Sequence, residues 1–336
     1  MGRCTGMPCR GMAQWEIEEV YGQYSELPTA YPVDKIAEKK RRRLRPHGLH
    51  SDDTQQAMAL VQFCLAAGGW NRDAWKSILV QGMKQGAWRG VGRFFTEALH
   101  RMRKGERGEH AGSPSAGMGA AMRIGPLGAL YCQPEQADLL WQVALESSLA
   151  THRDARAAGF AALPELARQG EERLQEMSKQ GWRIDEVNSS AIREAMVQAC
   201  TWIDMPVEAM RRRLSDWARP QLKEGFTRAH PNQGFVLLGG LHALLMSCRD
   251  DLEPTEVLLS IIREGFDTDT VAAIAGAVLG ARVGDAWIPK EKFYDQMRIE
   301  AYADALVTQV RPETPASFLK QEAELTDFEK TFSCRK

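Results

Sequence analysis

The chain has 336 residues, enough for one large domain or two ordinary ones, and its composition is 44% hydrophobic and 26% charged, as in a globular protein that folds in water. A net charge of -1 gives no global field to recruit nucleic acid or a membrane surface. The longest apolar runs, around residues 235–246 and 271–281, fall short of the ~18 residues a membrane span needs.

The opening, MGRCTGMPCRGM, lacks the apolar core of a secretory signal. The seven cysteines form neither a disulfide framework nor a zinc-binding spacing, so Cys4 and Cys9 read as reduced thiols and the cytoplasm is the expected location. Nothing in the sequence specifies an oligomer, and a monomer is the default expectation.

Almost every periodic segment reads as helix. Residues 54–67 place Ala57, Leu60, Val61, Cys64 and Leu65 at helical spacing and stop at Gly68-Gly69. Further helical patterns cover 71–84, 88–103, 134–150, 164–179, 185–203, 206–222, 234–247, 254–264 and 289–309. The run after Asp267-Thr268-Asp269-Thr270 is apolar on every side up to Arg282, which predicts a buried helix. Strand-like alternation is nearly absent. The expected architecture is all-α, a single multi-helix domain over 1–312 with a C-terminal tail at 313–336.

Two segments break the helical pattern. Residues 34–53 carry the basic run Lys39 to Arg45, either a solvated loop or a reach towards an acidic target or phosphates, and then Ser51-Asp52-Asp53. Residues 103–120 are rich in glycine and small polar residues, suited either to a plain linker or to a nest of backbone N–H groups around an anion. Ser51-Asp52-Asp53 and Asp267-Thr268-Asp269-Thr270 both stand at predicted helix starts. Each alone is explained by capping, because carboxylates and hydroxyls favour that end. Together they also supply the oxygen donors of a two-ion magnesium site.

GLHSDDTQQAMAL and GFDTDTVAAIAGAVLGA resemble the two metal-binding signatures of the ADP-ribosylhydrolase (ADP-ribosylglycohydrolase) family, which includes dinitrogenase reductase-activating glycohydrolase. The likeness continues through GMGAAMRIGPLGALY, LATHRDARAAGFA, QGFVLLGGLHALL and IPKEKF, from near residue 2 to about residue 310. It implies an all-α fold with a binuclear magnesium cleft for ADP-ribose or an ADP-ribosylated protein, with nucleic-acid-linked ADP-ribose as another acceptor class. By position, Ser51, Asp52, Asp53, Asp267, Asp269 and Thr270 would hold two Mg2+, and Asp53 and Asp52 would be catalytic. Ser115, Gly117 and Gly119 would line the diphosphate, His152 would lie near the ribose, and Phe235 would stack near the nucleotide. Met118 stands where the family usually has asparagine.

The family usually opens G-D-x-x-G-x-P-x-E, with the glutamate near the scissile bond. Here Arg3 occupies the aspartate position and Arg10 the glutamate position, and with the start at Met1 a shortened or divergent N-terminus is expected. An arginine at position 10 supplies no base, and it can hold a phosphate or pair with a carboxylate. Two functions follow: a magnesium-dependent hydrolase releasing ADP-ribose from an acceptor such as ADP-ribosyl-arginine, or an ADP-ribose-binding regulatory or toxin-neutralising protein that does not turn it over.

Overall fold

The helical patterning is realised throughout the computed structural model, which describes residues 9–26, 35, 45–162, 166–185, 190–222 and 228–334. Among them there is no sheet, and the strand pairings that occur are isolated bridges. Arg3 and residues Lys39 to Leu44 of the basic run lie outside the described residues. No helix among the described residues is long and apolar enough to cross a membrane.

The chain packs as two units. One comprises 1–49, 193–294 and 332–336, the other 50–192 and 295–331. In the second, the helix Asp52–Ala67 packs against Arg72–Lys84, Gly125–Leu130 and Gln296–Thr308. Leu60, Trp75, Leu79, Leu145, Leu149 and Phe318 are among the side chains of its apolar core. In the first unit, Thr268–Val283 lies against Leu241–Ser247 and Pro254–Arg263, and Pro254–Arg263 packs on Gln14–Tyr21. Thr268 to Gly276 are buried, whereas exposure rises from Ala277 onwards. The run that reads as apolar on every side is therefore a core element over its N-terminal half, the end that carries the aspartates.

Several boundaries move for identifiable reasons. The pattern at 88–103 becomes helix only at Arg93, because Gly90 takes φ 72° and Gly92 sits at the N-cap. The one at 289–309 begins at Gln296, after a 3-10 turn at Lys290–Lys292. There the Tyr294 amide donates to the Gly48 carbonyl, and a Cβ on Gly48 would lie 2.2 Å from the Lys292 carbonyl oxygen, so glycine is required. The pattern at 234–247 divides into a π-helical turn, Val236–Gly240, and the α-helix Leu241–Ser247. Gln14–Tyr21, Ala155–Ala161 and Pro315–Cys334 are helices with no counterpart in the sequence patterns.

The C-terminal helix carries a charge into the core of the second unit. Glu322 is fully buried, and its Oε2 accepts from Arg89 Nη1 at 2.8 Å and from Gln55 Nε2 at 2.7 Å. Its Oε1 lies 2.6 Å from Arg298 Nη1 and 3.3 Å from His50 Nε2. Burial and the neighbouring Arg89 hold the His50 pKa below its ordinary value. Because the carboxylate only accepts, the neutral imidazole carries its proton on Nε2. Arg89 Nε also donates to the His50 carbonyl at 2.8 Å, so the network fixes the residue immediately before Ser51. Burial opposes ionisation of Glu322, but His50, Arg89 and Arg298 outweigh it and hold its pKa far below the carboxylate range. Replacing Glu322 by Gln leaves two guanidinium groups against a neutral partner, with an expected loss of about 3 kcal/mol. Urea unfolding of the variant and the wild type measures this, and an unchanged midpoint would contradict the role given to the network.

Candidate functional site

Each unit holds one acidic cluster. In the second unit Ser51 occupies the N-cap of Asp52–Ala67, with Asp52 and Asp53 in the first turn. All three are buried, Asp53 to 1% exposure. The Ser51 side chain makes no capping hydrogen bond. In the first unit Asp267 occupies the N-cap of Thr268–Val283 and likewise makes no side-chain cap. It instead accepts from Thr270 Oγ1 at 3.2 Å. A side-chain capping hydrogen bond therefore accounts for neither Ser51 nor Asp267.

The second unit gathers the other expected residues around a side chain that the motif reading passes over. Arg123 is fully buried. Its Nη1 donates to Gln56 Oε1 at 2.8 Å, on the helix that opens with Asp52 and Asp53, and to the Gly119 carbonyl at 3.2 Å. Its Nη2 donates to Thr151 Oγ1 and to the Ser147 carbonyl, both at 2.7 Å. One guanidinium thus ties the acidic helix, the glycine-rich loop and the Thr151-His152 pair together. Burial pulls its pKa down to about 9 and the charge of Asp52 works against that fall, so it remains a cation at neutral pH.

The loop is pinned rather than loose. Ser113 N donates to Thr151 O at 3.0 Å and Arg153 N donates to Ser113 O at 2.9 Å. Ser115 is buried, and its Oγ accepts from Gly117 N at 3.2 Å. Met118, in the position where a polar side chain was expected, turns inward and is 2% exposed. Gly119 lies directly on the His152 imidazole, since a Cβ there would sit 2.7 Å from its Cε1. Burial, with a smaller contribution from Arg123, holds His152 at about pKa 3. The ring is therefore neutral, a hydrogen-bonding partner and not a phosphate-binding cation.

In the first unit the acidic cluster rests on a second buried network. Asn232 Nδ2 donates to the carbonyls of Ile261 and Gly265, and its own carbonyl accepts from Asp267 N at 3.1 Å. Arg211 Nε donates to His242 Nε2 at 3.1 Å, so that nitrogen is the acceptor and Nδ1 carries the proton, donated to Asn232 Oδ1 at 2.8 Å. Burial first, then Arg211, holds His242 neutral. Gly234 packs on Asp267, where an added Cβ would stand 3.2 Å from Oδ2. Phe235, half-buried, follows it at the start of the π-helical turn, so this segment is brought to the acidic cluster.

The donor set of each cluster, carboxylates and a hydroxyl, is that preferred by Mg2+. In neither unit, among the described residues, do three or more His, Cys, Asp or Glu side chains converge as a ready cage. The Asp267-Asp269 pair is already engaged by a cation: Arg10 Nη1 is 2.9 Å from Asp269 Oδ2 and its Nε is 3.9 Å from Asp267 Oδ1. Of the uses open to an arginine at position 10, pairing with a carboxylate is the one realised.

Residues 1–316 match the sequence pattern of the ADP-ribosylglycohydrolases. An uncharacterized protein of Archaeoglobus fulgidus is 24% identical over 318 residues, spanning 92% of each chain. Similarity also extends to the solved structure of an ADP-ribosylglycohydrolase-related protein complex, with a TM-score of 0.59 at 22% identity over 92% of this chain and 93% of that one, a likeness of fold.

Gly119→Ala should displace the His152 ring and weaken ADP-ribose binding at least ~10-fold, about 1.4 kcal/mol, as read by calorimetry. Binding equal to wild type would remove the loop from the site. The neutral histidines also set an acid response. His152 at about 3, and His230, held at about 4 by burial and Arg211, lie below the ~6.5 of an unfolded histidine. Their contribution is complete above pH ~6.5 and is lost as the pH falls towards 3–4, because the unfolded chain takes protons that the folded chain refuses. The urea midpoint should be lower at pH 5 than at pH 7.5, and less so in His152→Asn.

Proposed function

As the chain belongs to the ADP-ribosylglycohydrolase family, whose activity is hydrolysis of ADP-ribosyl linkages, we propose that it is a magnesium-dependent hydrolase that cleaves an ADP-ribosylated acceptor and releases ADP-ribose. The observation that carries this reading is the Arg123 tie, which places the Asp52-Asp53 helix, the loop at Gly119 and the Thr151-His152 pair on one buried guanidinium. These are the parts such a reaction needs: carboxylates for proton transfer, backbone amides for a diphosphate, and a neutral imidazole for a hydroxyl.

Ser51, Asp52 and Asp53 in the second unit, and Asp267, Asp269 and Thr270 in the first, are the residues that would hold Mg2+. When bound, the ion supplies Lewis acidity and a template for ribose hydroxyls and water. The chain's own contribution is to orient the sugar and manage the proton. Water adds to the anomeric carbon as the bond to the acceptor breaks, through an oxocarbenium-like transition state. Asp53 takes the proton of the water while Asp52 supports its charge balance, and that proton is passed on to the acceptor as it departs, returning Asp53 to its carboxylate form. The loop that carries Ser115, Gly117 and Gly119 holds the diphosphate, His152 meets the ribose, and Phe235 offers a face to the nucleotide. ADP-ribosyl-arginine is the first acceptor to test.

A second reading is favoured by Arg10, which stands where a carboxylate was expected and is paired with Asp269. In that reading the protein binds ADP-ribose, or an ADP-ribosylating partner, without turnover. Arginine-, serine- and nucleic-acid-linked ADP-ribose, each with and without Mg2+, distinguish the two. The hydrolase reading expects ADP-ribose release from at least one substrate, abolished by chelation and reduced ~100-fold or more in Asp53→Asn. Calorimetric binding with no release from any of them would establish the regulatory reading instead.

A further inference from the structure

The segment Cys9–Ala13 is built to deliver Arg10 to one place. Met12 N donates to Cys9 O at 3.0 Å, closing a turn in which Gly11 takes φ 72°, a value suited to glycine. Cys9 and Met12 flank the turn and are buried with Ile17, Val20, Leu259 and Ile262. Two backbone hydrogen bonds then fasten the turn to the residues before Asp267: Gly11 N donates to Phe266 O at 2.7 Å, and Phe266 N donates to Met12 O at 2.8 Å. The approach is so close that a Cβ on Gly265, at φ +78°, would lie 2.2 Å from the Met12 carbonyl oxygen. Phe266 itself is held at φ 62°, a costly conformation for a side chain of its size. Between these anchors the Arg10 guanidinium reaches Asp269, whose side chain is fully buried.

A buried carboxylate needs a compensating cation. We infer that Arg10 is the resident counter-ion of the Asp267-Asp269 pair and sets the occupancy of this acidic cluster, so that Mg2+ binds here only by displacing a tethered guanidinium. The inference rests on the reading of Asp267 and Asp269 as magnesium ligands. Its consequence is a protein that binds Mg2+ more weakly, or in smaller number, than the same fold with a neutral residue at position 10. The anchors belong to the backbone of the turn and to buried apolar side chains, so they survive a change of the Arg10 side chain.

Calorimetric titration of the full chain with Mg2+, at fixed ionic strength, tests this in wild type, Arg10→Gln and Arg10→Lys, with thermal unfolding of each protein confirming the fold. Arg10→Gln should bind Mg2+ at least ~10-fold more tightly, or take up one more ion, a tenfold change being about 1.4 kcal/mol. Arg10→Lys, which keeps the charge, should stay close to wild type. Equal affinity and stoichiometry in wild type and Arg10→Gln, with ions bound in both, overturns the counter-ion and leaves the magnesium reading intact. Tightening in Arg10→Lys equal to that in Arg10→Gln also overturns it, because space rather than charge would then govern binding. Absence of binding in all three removes the magnesium reading and the inference together.

Discussion

One buried cation organises the candidate site in the unit that contains Asp52 and Asp53. The Arg123 guanidinium has no solvent to satisfy it, so its donors turn to protein groups: Nη1 and Nη2 are met by Gln56, Gly119, Ser147 and Thr151, while Nε is left without a hydrogen-bond partner. That requirement draws a helix start, a glycine-rich loop and a threonine-histidine pair into a fixed arrangement. Removing the arginine would orphan buried acceptors on all of these elements at once. The strong coupling is what gives a loop rich in glycine and small residues a fixed shape.

The two acidic clusters solve the same electrostatic problem differently. Beside Asp52 and Asp53 the cation is Arg123, whose hydrogen bonds go elsewhere and whose charge acts on Asp52 through space. At Asp267 and Asp269 the cation is Arg10, in direct contact with Asp269. In the first arrangement Arg123 hydrogen-bonds to Gln56, Gly119, Ser147 and Thr151, and in the second the cation itself contacts a carboxylate. An enzyme that needs both clusters for chemistry has to release the second pair, whereas a protein that only holds ADP-ribose does not.

Much of this was legible in the sequence. The hydroxyl-carboxylate clusters stand at the starts of Asp52–Ala67 and Thr268–Val283, and the all-helical reading follows from apolar spacing that the packing uses directly. Position within a motif also identified Gly119 and His152, which touch. Arg123 lies inside GMGAAMRIGPLGALY but does not stand out there, because a lone arginine on a short helical turn looks like any surface residue until its burial is known. Glu322 was hidden for a related reason: its helix, Pro315–Cys334, is rich in charge and has no clean apolar stripe. Its partner Arg89 lies 233 residues away in sequence. Ala155–Ala161 escaped because all seven of its residues are buried, leaving no polar face to produce a helical period. The Arg10 contact depended on a turn, a strained Phe266 and a close glycine approach, none of which periodicity reports.

The central claim is that the loop at 112–119, fastened to Thr151-His152 and Arg123, is where ADP-ribose is held. Hydrogen–deuterium exchange with and without free ADP-ribose measures this at the residues concerned. The account predicts slower exchange in peptides covering 112–119 and 150–153 on addition of the ligand. Binding that leaves both stretches unprotected, with protection elsewhere, would contradict it.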